Sequence, residues 1–367
     1  MAVRTIAVLG AGHGGMAAAA DLTQRGFDVR LHGRREETLA PMRRQGGIEV
    51  RGLHEGFVAL PVMTTDVAEA IDNVDLIMLV VPSVAHETYA RALAGLIDGS
   101  VPLLLNPGHT GGGLHFLAEL RKAGYSGNVT IGETVTLTYI CRSPAPGTVE
   151  IYSYTRQLGF AALPGKHTAA LHQLVQPVFP ELEARASVLE TGMSNINAIF
   201  HPPGMLMNAG WIEHTGGDFL FYAEGITEAV GRVVMAVDAE RLAVARALDV
   251  PARSFLDIFH AAGLTTEEAR KSGNASRACK ESAPNKSIRS PGSLDHRYVH
   301  EDVGDGLVAF SAFGRLAGVP TPIIDAQVHL ASAATGRDYW STGLTLERMG
   351  LAGVAPGDIH ARLQEGL

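Results

Sequence analysis

A twisted parallel α/β sheet followed by an all-helical domain is the fold that three features of the sequence predict. Through roughly the first half, short β-branched runs alternate with longer helical stretches, the pattern of strands covered by helices. A glycine-rich run, Gly10-Ala11-Gly12-His13-Gly14-Gly15, directly follows the first apolar run and opens an alanine-rich stretch. From about Leu189 onward the periodicity is helical. A chain of 367 residues has room for two domains, and the change of texture divides it into 1–188 and 189–367.

Each element follows from its own pattern. Thr5–Leu9 reads as the first strand, Met16–Arg25 as a helix closed by Gly26, and Val29–His32 as the next strand. Leu76–Val81 and Pro102–Leu105 are continuous apolar runs of the kind buried on both faces of a sheet. Between them Ala85–Leu96 has helical character, and Val129–Ile131 is a further short strand. Thr148–Tyr154 alternates, and with Arg156–Leu163 it predicts an antiparallel extension of the sheet. In the second half Ile226, Val230, Val233, Val234 and Val237 fall on one helical face, in a run reaching Leu248. The polar stretch from Glu267 to Ser293 reads as a long loop. Helical pattern resumes from Asp302 to about Ala334, with an interruption at Gly318–Pro322.

Composition removes several classes of function. The net charge of −8 argues against nucleic acid or a membrane surface as partner. No stretch reaches the ~18 apolar residues of a spanning helix. Cys141 and Cys279 are the only cysteines, too far apart in sequence for a metal-type spacing, which fits a cytoplasmic protein.

The glycine run is the strongest motif. In a strand–turn–helix context Gly10 permits the tight turn, Gly12 lets backbone approach a pyrophosphate, and Gly15 lets helix and strand pack closely. With His13 and Gly14 it presents a helix N-terminus, a ready site for phosphate. This is a Rossmann dinucleotide-binding turn. An NAD site normally places a carboxylate at the end of the second strand. Here the sequence is Leu31-His32-Gly33-Arg34-Arg35, with no acid before Glu36. Arg34, with Arg35 beside it, suits a 2′-phosphate, which favours NADP(H) and leaves NAD(H) possible. Pro82 and Ser83, where a strand ends, are further cofactor neighbours, or else a simple helix cap.

In the helical half His201 lies in Asn195-Ile196-Asn197-Ala198-Ile199-Phe200-His201-Pro202-Pro203. Asn197 and His201 share a helix face, and a histidine suits proton transfer during reduction of C=O or C=N. The run His296-Arg297-Tyr298-Val299-His300-Glu301-Asp302 offers a guanidinium for a carboxylate and an acid able to orient a histidine. Locally it is equally a charged helix start.

Together these motifs resemble the opine dehydrogenase family. The resemblance is carried by the glycine turn, Val81-Pro82-Ser83 with His86, Asn106-Pro107-Gly108 and the Asn-rich segment before His201. Tyr222-Ala223-Glu224-Gly225, Asp238-Ala239-Glu240-Arg241 and Arg297-Tyr298 with Glu301-Asp302 add to it. It implies a 6-phosphogluconate-dehydrogenase-like helical second domain and reductive condensation of an amino acid with an α-keto acid such as pyruvate. By position it makes His201 the acid–base group, Asp302 its orienting carboxylate and Arg297 a carboxylate binder. Asn197, Glu133 and Cys141 then fall at substrate-binding positions, and a homodimer is possible. Six basic residues between Arg270 and Arg289 could draw anionic substrates inward. A ketopantoate reductase-like or glycerol-phosphate dehydrogenase-like enzyme, which typically relies on a lysine in the helical domain, is the alternative enzyme; Lys271, Lys280 and Lys286 lie only in the polar stretch, which argues against it. A non-catalytic NAD(P)-binding redox sensor is the alternative outside catalysis.

Overall fold

A computed structural model describes residues 2–366. The chain divides into two compact units. One comprises the residues up to Gly108, Gly112–Val188 and the segment from His360 on; the other comprises His109–Gly111 and Leu189–Ile359. Two short segments thus lie outside a simple division at 188/189.

The first unit is built on β1 (Thr5–Leu9), β2 (Asp28–His32), β3 (Gly47–Gly52), β4 (Gly56–Ala59), β5 (Val62–Thr64), β6 (Leu76–Leu79), β7 (Leu103–Leu105), β8 (Ile131–Thr134), β9 (Tyr139–Ala145), β10 (Thr148–Tyr154), β11 (Leu158–Leu163) and β12 (Leu182–Ala184). Eight of them form one sheet in the order β12-β11-β8-β7-β6-β1-β2-β5. Pairing is parallel from β5 across to β8, and β11 turns antiparallel against β8. The inner strands β1, β6 and β7 are buried almost throughout, which is why they are apolar without alternation. Strand order reverses beside β1, and ligands of such sheets bind at that switch, outside the strands' carboxyl ends.

The expected antiparallel extension holds for β11 and fails for β10. That strand leaves the main sheet and joins a second, four-stranded sheet in the order β4-β3-β10-β9. It runs parallel to β3 and antiparallel to β9, with register shifts. Its alternation marks a sheet with one buried face, and the partner strand β3 lies far upstream in the chain. Helix α1 (His13–Gln24) carries the fully buried Asp21 onto this sheet. Asp21 accepts hydrogen bonds from Tyr139 (2.8 Å) and Tyr154 (2.6 Å) and pairs with Arg25 at 3.3 Å. A buried carboxylate satisfied this way fastens the helix to both strands.

The second unit is helical, with one isolated bridge between Leu220 and Arg289. Of the expected stripe, Val230, Val234 and Val237 lie on the buried face of the helix Glu228–Ala247, capped by Thr227, while Val233 is half-buried and Ile226 precedes the helix. The interruption at Gly318–Pro322 separates the helices Val308–Ala317 and Pro322–Thr335. The stretch from Glu267 to Ser293 is not a continuous loop. It contains the helices Glu267–Lys271 and Ala275–Lys280, N-capped by Thr266 and Asn274. Ala269, Ala278 and Cys279 anchor them in the core. Four of its six basic residues are already in ion pairs: Arg270 with Glu267 and Asp257, Lys271 with Glu267, Arg277 with Glu281 and Arg289 with Asp218. The basic stretch is therefore largely neutralised by its own neighbours.

Asp238 and Arg241 form a fully buried ion pair on the long helix. Arg241 Nε donates to Asp238 (3.0 Å), and its other nitrogens donate to the carbonyls of Met193 and Arg253. The second Asp238 oxygen accepts from Phe255 N–H at 2.8 Å. One pair thus ties three segments together. Breaking it strands a buried guanidinium, so Asp238→Asn is expected to lose about 3–5 kcal/mol of stability in urea unfolding followed by circular dichroism. A loss within about 1 kcal/mol, the range of an exposed pair, would mean the pair is not the tie described.

Candidate active site

The glycine turn of the first unit is shaped by contacts that exclude side chains. Gly10 lies at φ 123°, and a Cβ there would stand 2.3 Å from the Val80 carbonyl oxygen. A Cβ on Gly15 would stand 1.7 Å from the Gly10 carbonyl oxygen, so helix and strand touch only because both residues are glycine. At Gly12 a Cβ would meet nothing within 4 Å, leaving open space at the mouth of α1. Gly12 and His13 are exposed. The helix carries no side-chain cap bond and no acid in its first turn. An open, uncapped helix N-terminus beside a bare backbone fits the pyrophosphate of a dinucleotide.

At the end of β2 the chain offers no carboxylate. His32 is buried, its Nδ1 3.1 Å from the Tyr89 hydroxyl and its Nε2 3.3 Å from the Thr65 carbonyl. Burial lowers the His32 pKa, so the ring is neutral, and burial pushes the Tyr89 phenol up to about 12, so it stays a donor. A side chain at Gly33 would be crowded: a Cβ would lie 3.0 Å from side-chain atoms of Ala11 and Leu39. Arg34 and Arg35 are exposed, and the first acid, Glu36, is paired with Arg43. Pro82 is exposed, and Ser83 is buried as the first residue of a 3-10 turn rather than its cap.

In the second unit His201 lies on the helix Asn197–Leu206, directly before the two prolines. Asn197 begins that helix, half-buried, its N–H donating to the Asn195 side chain at 3.2 Å. His201 and Asp302 are each only 3% exposed, and His201 Nδ1 lies 2.7 Å from an Asp302 carboxylate oxygen. An ionised carboxylate only accepts, so Nδ1 carries the proton and Nε2 holds the lone pair. Nε2 lies 3.0 Å from the Tyr222 hydroxyl, which is 3.3 Å from the Tyr298 hydroxyl. The Tyr298 ring stacks on the imidazole, with centroids 3.6 Å apart and planes 12° off parallel. Phe200 approaches it at 4.4 Å. Burial lowers the His201 pKa against the opposing pull of Asp302. The imidazole is therefore neutral near pH 7, a base that a carboxylate makes easier to protonate.

His296, not an acid, caps the following turn, accepting from Tyr298 N–H at 3.2 Å. Arg297 keeps 45% of its side chain exposed and lies 3.9 Å from the buried Glu301, leaving its guanidinium open to an anion. Sequence reasoning missed His109. It is buried at φ 60°, uncommon for a residue other than glycine, with Nε2 3.2 Å from Glu301. Burial opposes its charged form, but the carboxylates of Glu301 and Asp302 together outweigh burial and raise its pKa. Tyr222 was seen only as part of a familial motif. A π-helical turn, Phe221–Gly225, sets its direction. Such turns recur at functional sites.

Glu133 and Cys141 belong to the first unit. Glu133 is fully buried and accepts from Gly113 N–H at 2.8 Å at the start of the helix Gly112–Lys122. Cys141 is buried on β9, opposite Ile151 in the hydrophobic core. Lys271, Lys280 and Lys286 are all exposed. No helix among the described residues is long and apolar enough to cross a membrane.

Residues 184–335 match the profile of the α-helical domain of NAD/NADP octopine/nopaline dehydrogenases, and residues 5–117 that of the N-terminus of NAD-dependent glycerol-3-phosphate dehydrogenases. An opine dehydrogenase of Arthrobacter sp. (strain 1C) is 36% identical over 366 residues, covering 98% of this chain and 99% of that protein. Vitopine synthase of Allorhizobium ampelinum is 26% identical and covers 96% of each. Among solved structures, octopine dehydrogenase with NADH and L-arginine aligns with a TM-score of 0.77 at 21% identity, covering 99% of this chain and 98% of that one. Yersinopine dehydrogenase with NADP+ aligns at 0.74 and 14% identity, with the same coverage.

A Rossmann sheet joined to a helical unit with a buried histidine–carboxylate pair defines an NAD(P)-dependent dehydrogenase of the two-domain kind. The chain belongs to the opine dehydrogenase family, whose members act on the CH–NH group of their donors.

The Gly15 contact predicts one outcome here. Gly15→Ala must push α1 off β1, and dinucleotide binding, measured by calorimetry with NADPH and NADH, is expected to weaken about tenfold or more. Unchanged binding would mean the turn does not hold the cofactor.

Proposed function

We propose that the protein joins an amino acid to an α-keto acid such as pyruvate and reduces the resulting imine, with His201 and Asp302 as the acid–base pair and NADPH as the favoured reductant. The observation that carries this reading is the buried hydrogen bond between His201 and Asp302. Reductive condensation of amino acid and keto acid is the family's reaction, and the residues of the second unit suit its proton traffic.

Condensation needs a proton removed from the amino donor, one delivered to the departing hydroxyl of the carbinolamine, and a carboxylate held still. His201, neutral and oriented by Asp302, is the base on which the first proton comes to rest and the acid from which it returns to the leaving water. Asp302 stabilises the imidazolium formed between the two events. Arg297 holds a substrate carboxylate with its open guanidinium, a geometry suited to bidentate pairing. Asn197, one turn before His201 on the same helix, adds a polar contact for the substrate. Bound reduced nicotinamide supplies the hydride, and Gly10, Gly12, His13, Gly14 and Gly15 would hold its pyrophosphate. Arg34, with Arg35 beside it, supports the NADP(H) preference, because the end of β2 carries exposed arginines and no carboxylate before Glu36. Unit 1 is the cofactor domain in this reading and unit 2 the substrate domain.

The test follows oxidation of NADPH, with NADH in parallel, by the purified protein and pyruvate over a panel of amino acids. Oxidation that requires both substrates is expected; oxidation with pyruvate alone would make the protein a simple ketone reductase. Arg34→Glu is expected to shift the NADPH/NADH ratio of kcat/KM about tenfold or more toward NADH, and an unmoved ratio would remove Arg34 from cofactor choice. For the reverse reaction the base is neutral His201, whose pKa lies below its ordinary value of about 6.5. The kcat/KM for opine oxidation should therefore rise with pH and level off on the acid side of that value. Asp302→Asn removes the charge that favours imidazolium. It should move this limb to still lower pH and reduce the plateau about 10²–10⁴-fold. A limb shifted upward instead would contradict the assigned roles.

A further inference from the structure

We infer that the hydroxyl of Tyr222, and not His201 itself, is the group that exchanges a proton with substrate, His201 and Asp302 standing behind it as a relay. The inference rests on the reading of His201–Asp302 as the acid–base pair. It starts from the fact that His201 has no nitrogen left to offer. Nδ1 is held by Asp302 at 2.7 Å and Nε2 by Tyr222 at 3.0 Å. The ring cannot turn to free either nitrogen, because Tyr298 lies flat on it at 3.6 Å and Phe200 packs at 4.4 Å. A substrate reaching Nε2 would have to evict a buried phenol.

The phenol, by contrast, can pass a proton on. With Nδ1 protonated toward Asp302, the Tyr222 O–H donates to the Nε2 lone pair and its oxygen remains able to accept. The Tyr298 hydroxyl, 3.3 Å away, lies on that oxygen's side. The guanidinium of Arg297 lies 5.9 Å from the Tyr298 ring centroid, so the residue that partners the Tyr222 hydroxyl also borders the exposed cation.

The protons balance in both directions. When the amino donor or product amine gives up a proton, Tyr222 oxygen receives it as the phenolic proton moves to Nε2, and the phenol is restored. When the carbinolamine hydroxyl leaves, imidazolium Nε2–H donates to Tyr222 oxygen while Tyr222 O–H protonates the departing oxygen. No redox change occurs at the relay. The charged groups facing the imidazole are Asp302, Glu301 and Arg297, with His109 bonded to Glu301. Burial keeps the ring neutral at rest, the state the relay needs. The π-helical turn supplies the aim. Gly225 N–H reaches back to the Leu220 carbonyl at 3.1 Å, and the Glu224 carboxylate accepts from Leu220 N–H at 2.6 Å, fixing the turn that points Tyr222 inward.

The experiment compares the wild type, Tyr222→Phe, Tyr298→Phe and His201→Asn in the keto-acid- and amine-dependent oxidation of NADPH. Tyr222→Phe is expected to lose about 10²-fold or more in kcat with KM for the keto acid little changed, approaching His201→Asn, while Tyr298→Phe loses less. Tyr222→Phe with wild-type kcat and pH profile, beside an inactive His201→Asn, would overturn the relay and leave the histidine–aspartate reading intact. A wild type that turns over pyruvate without an amine would overturn both. A second measurement needs no variant: ¹⁵N NMR of the histidine-labelled wild type as pyruvate is added. The His201 Nε2 signal is expected to keep its tyrosine-bonded position. A signal that departs from it means that the imidazole meets substrate directly, and the relay falls.

Discussion

Withdrawing an imidazole and a carboxylate from water together is costly, and the second unit is arranged around meeting that cost. A buried ionised aspartate would be prohibitive alone. Asp302 is tolerable because His201 donates to it, and His201 because Tyr222 occupies its other nitrogen and aromatic rings cover its faces. The helix that presents His201, the π-helical turn that presents Tyr222 and the helix Arg297–Glu301 that presents Tyr298 all converge on one planar ring. Remove any of these contacts and a buried polar atom is stranded. The catalytic group and the local architecture of the unit thus satisfy the same hydrogen bonds.

The first unit solves a different problem, that of bringing backbone against backbone. Gly10 and Gly15 touch where no side chain fits, and Gly12 faces open space. Asp21, near the other end of α1, binds two tyrosines of the small sheet. The helix is therefore fixed near its far end by polar contacts and at its near end by bare backbone, which leaves its N–H groups turned outward.

Much of this was legible in the sequence, and the reasons are particular. The first strand, turn and α1 could be read because three glycine constraints act within six residues. The apolar strands β6 and β7 were visible because burial on both faces removes alternation. The sheet formed by β3, β4, β9 and β10 was not, since β10 takes its parallel partner from much earlier in the chain and short alternating strands do not name their neighbours. The helices Glu267–Lys271 and Ala275–Lys280 were hidden by their length and polarity, although Thr266 and Asn274 were usable capping signals. His201, Arg297 and Asp302 came from a familial pattern, and the structure brings His201 and Asp302 into contact. The role of Tyr222 could not be read, because it depends on a π-helical turn rather than on spacing. His109 escaped for a similar reason: its partner Glu301 is remote in sequence.

Glu133 leaves a mark on how this chain can change over generations. Its carboxylate lies where a Cβ on Gly113 would stand 2.6 Å away, and its own Cβ lies 2.5 Å from where one on Gly108 would be. Any residue with a Cβ at 133 therefore crowds out a side chain at Gly108, whereas at Gly113 it is the glutamate's own carboxylate that does so. If the glutamate is lost, Gly113 N–H loses its buried acceptor. Substitutions at 113 and 133 are thus epistatic, while Gly108 stays fixed under every non-glycine residue at 133.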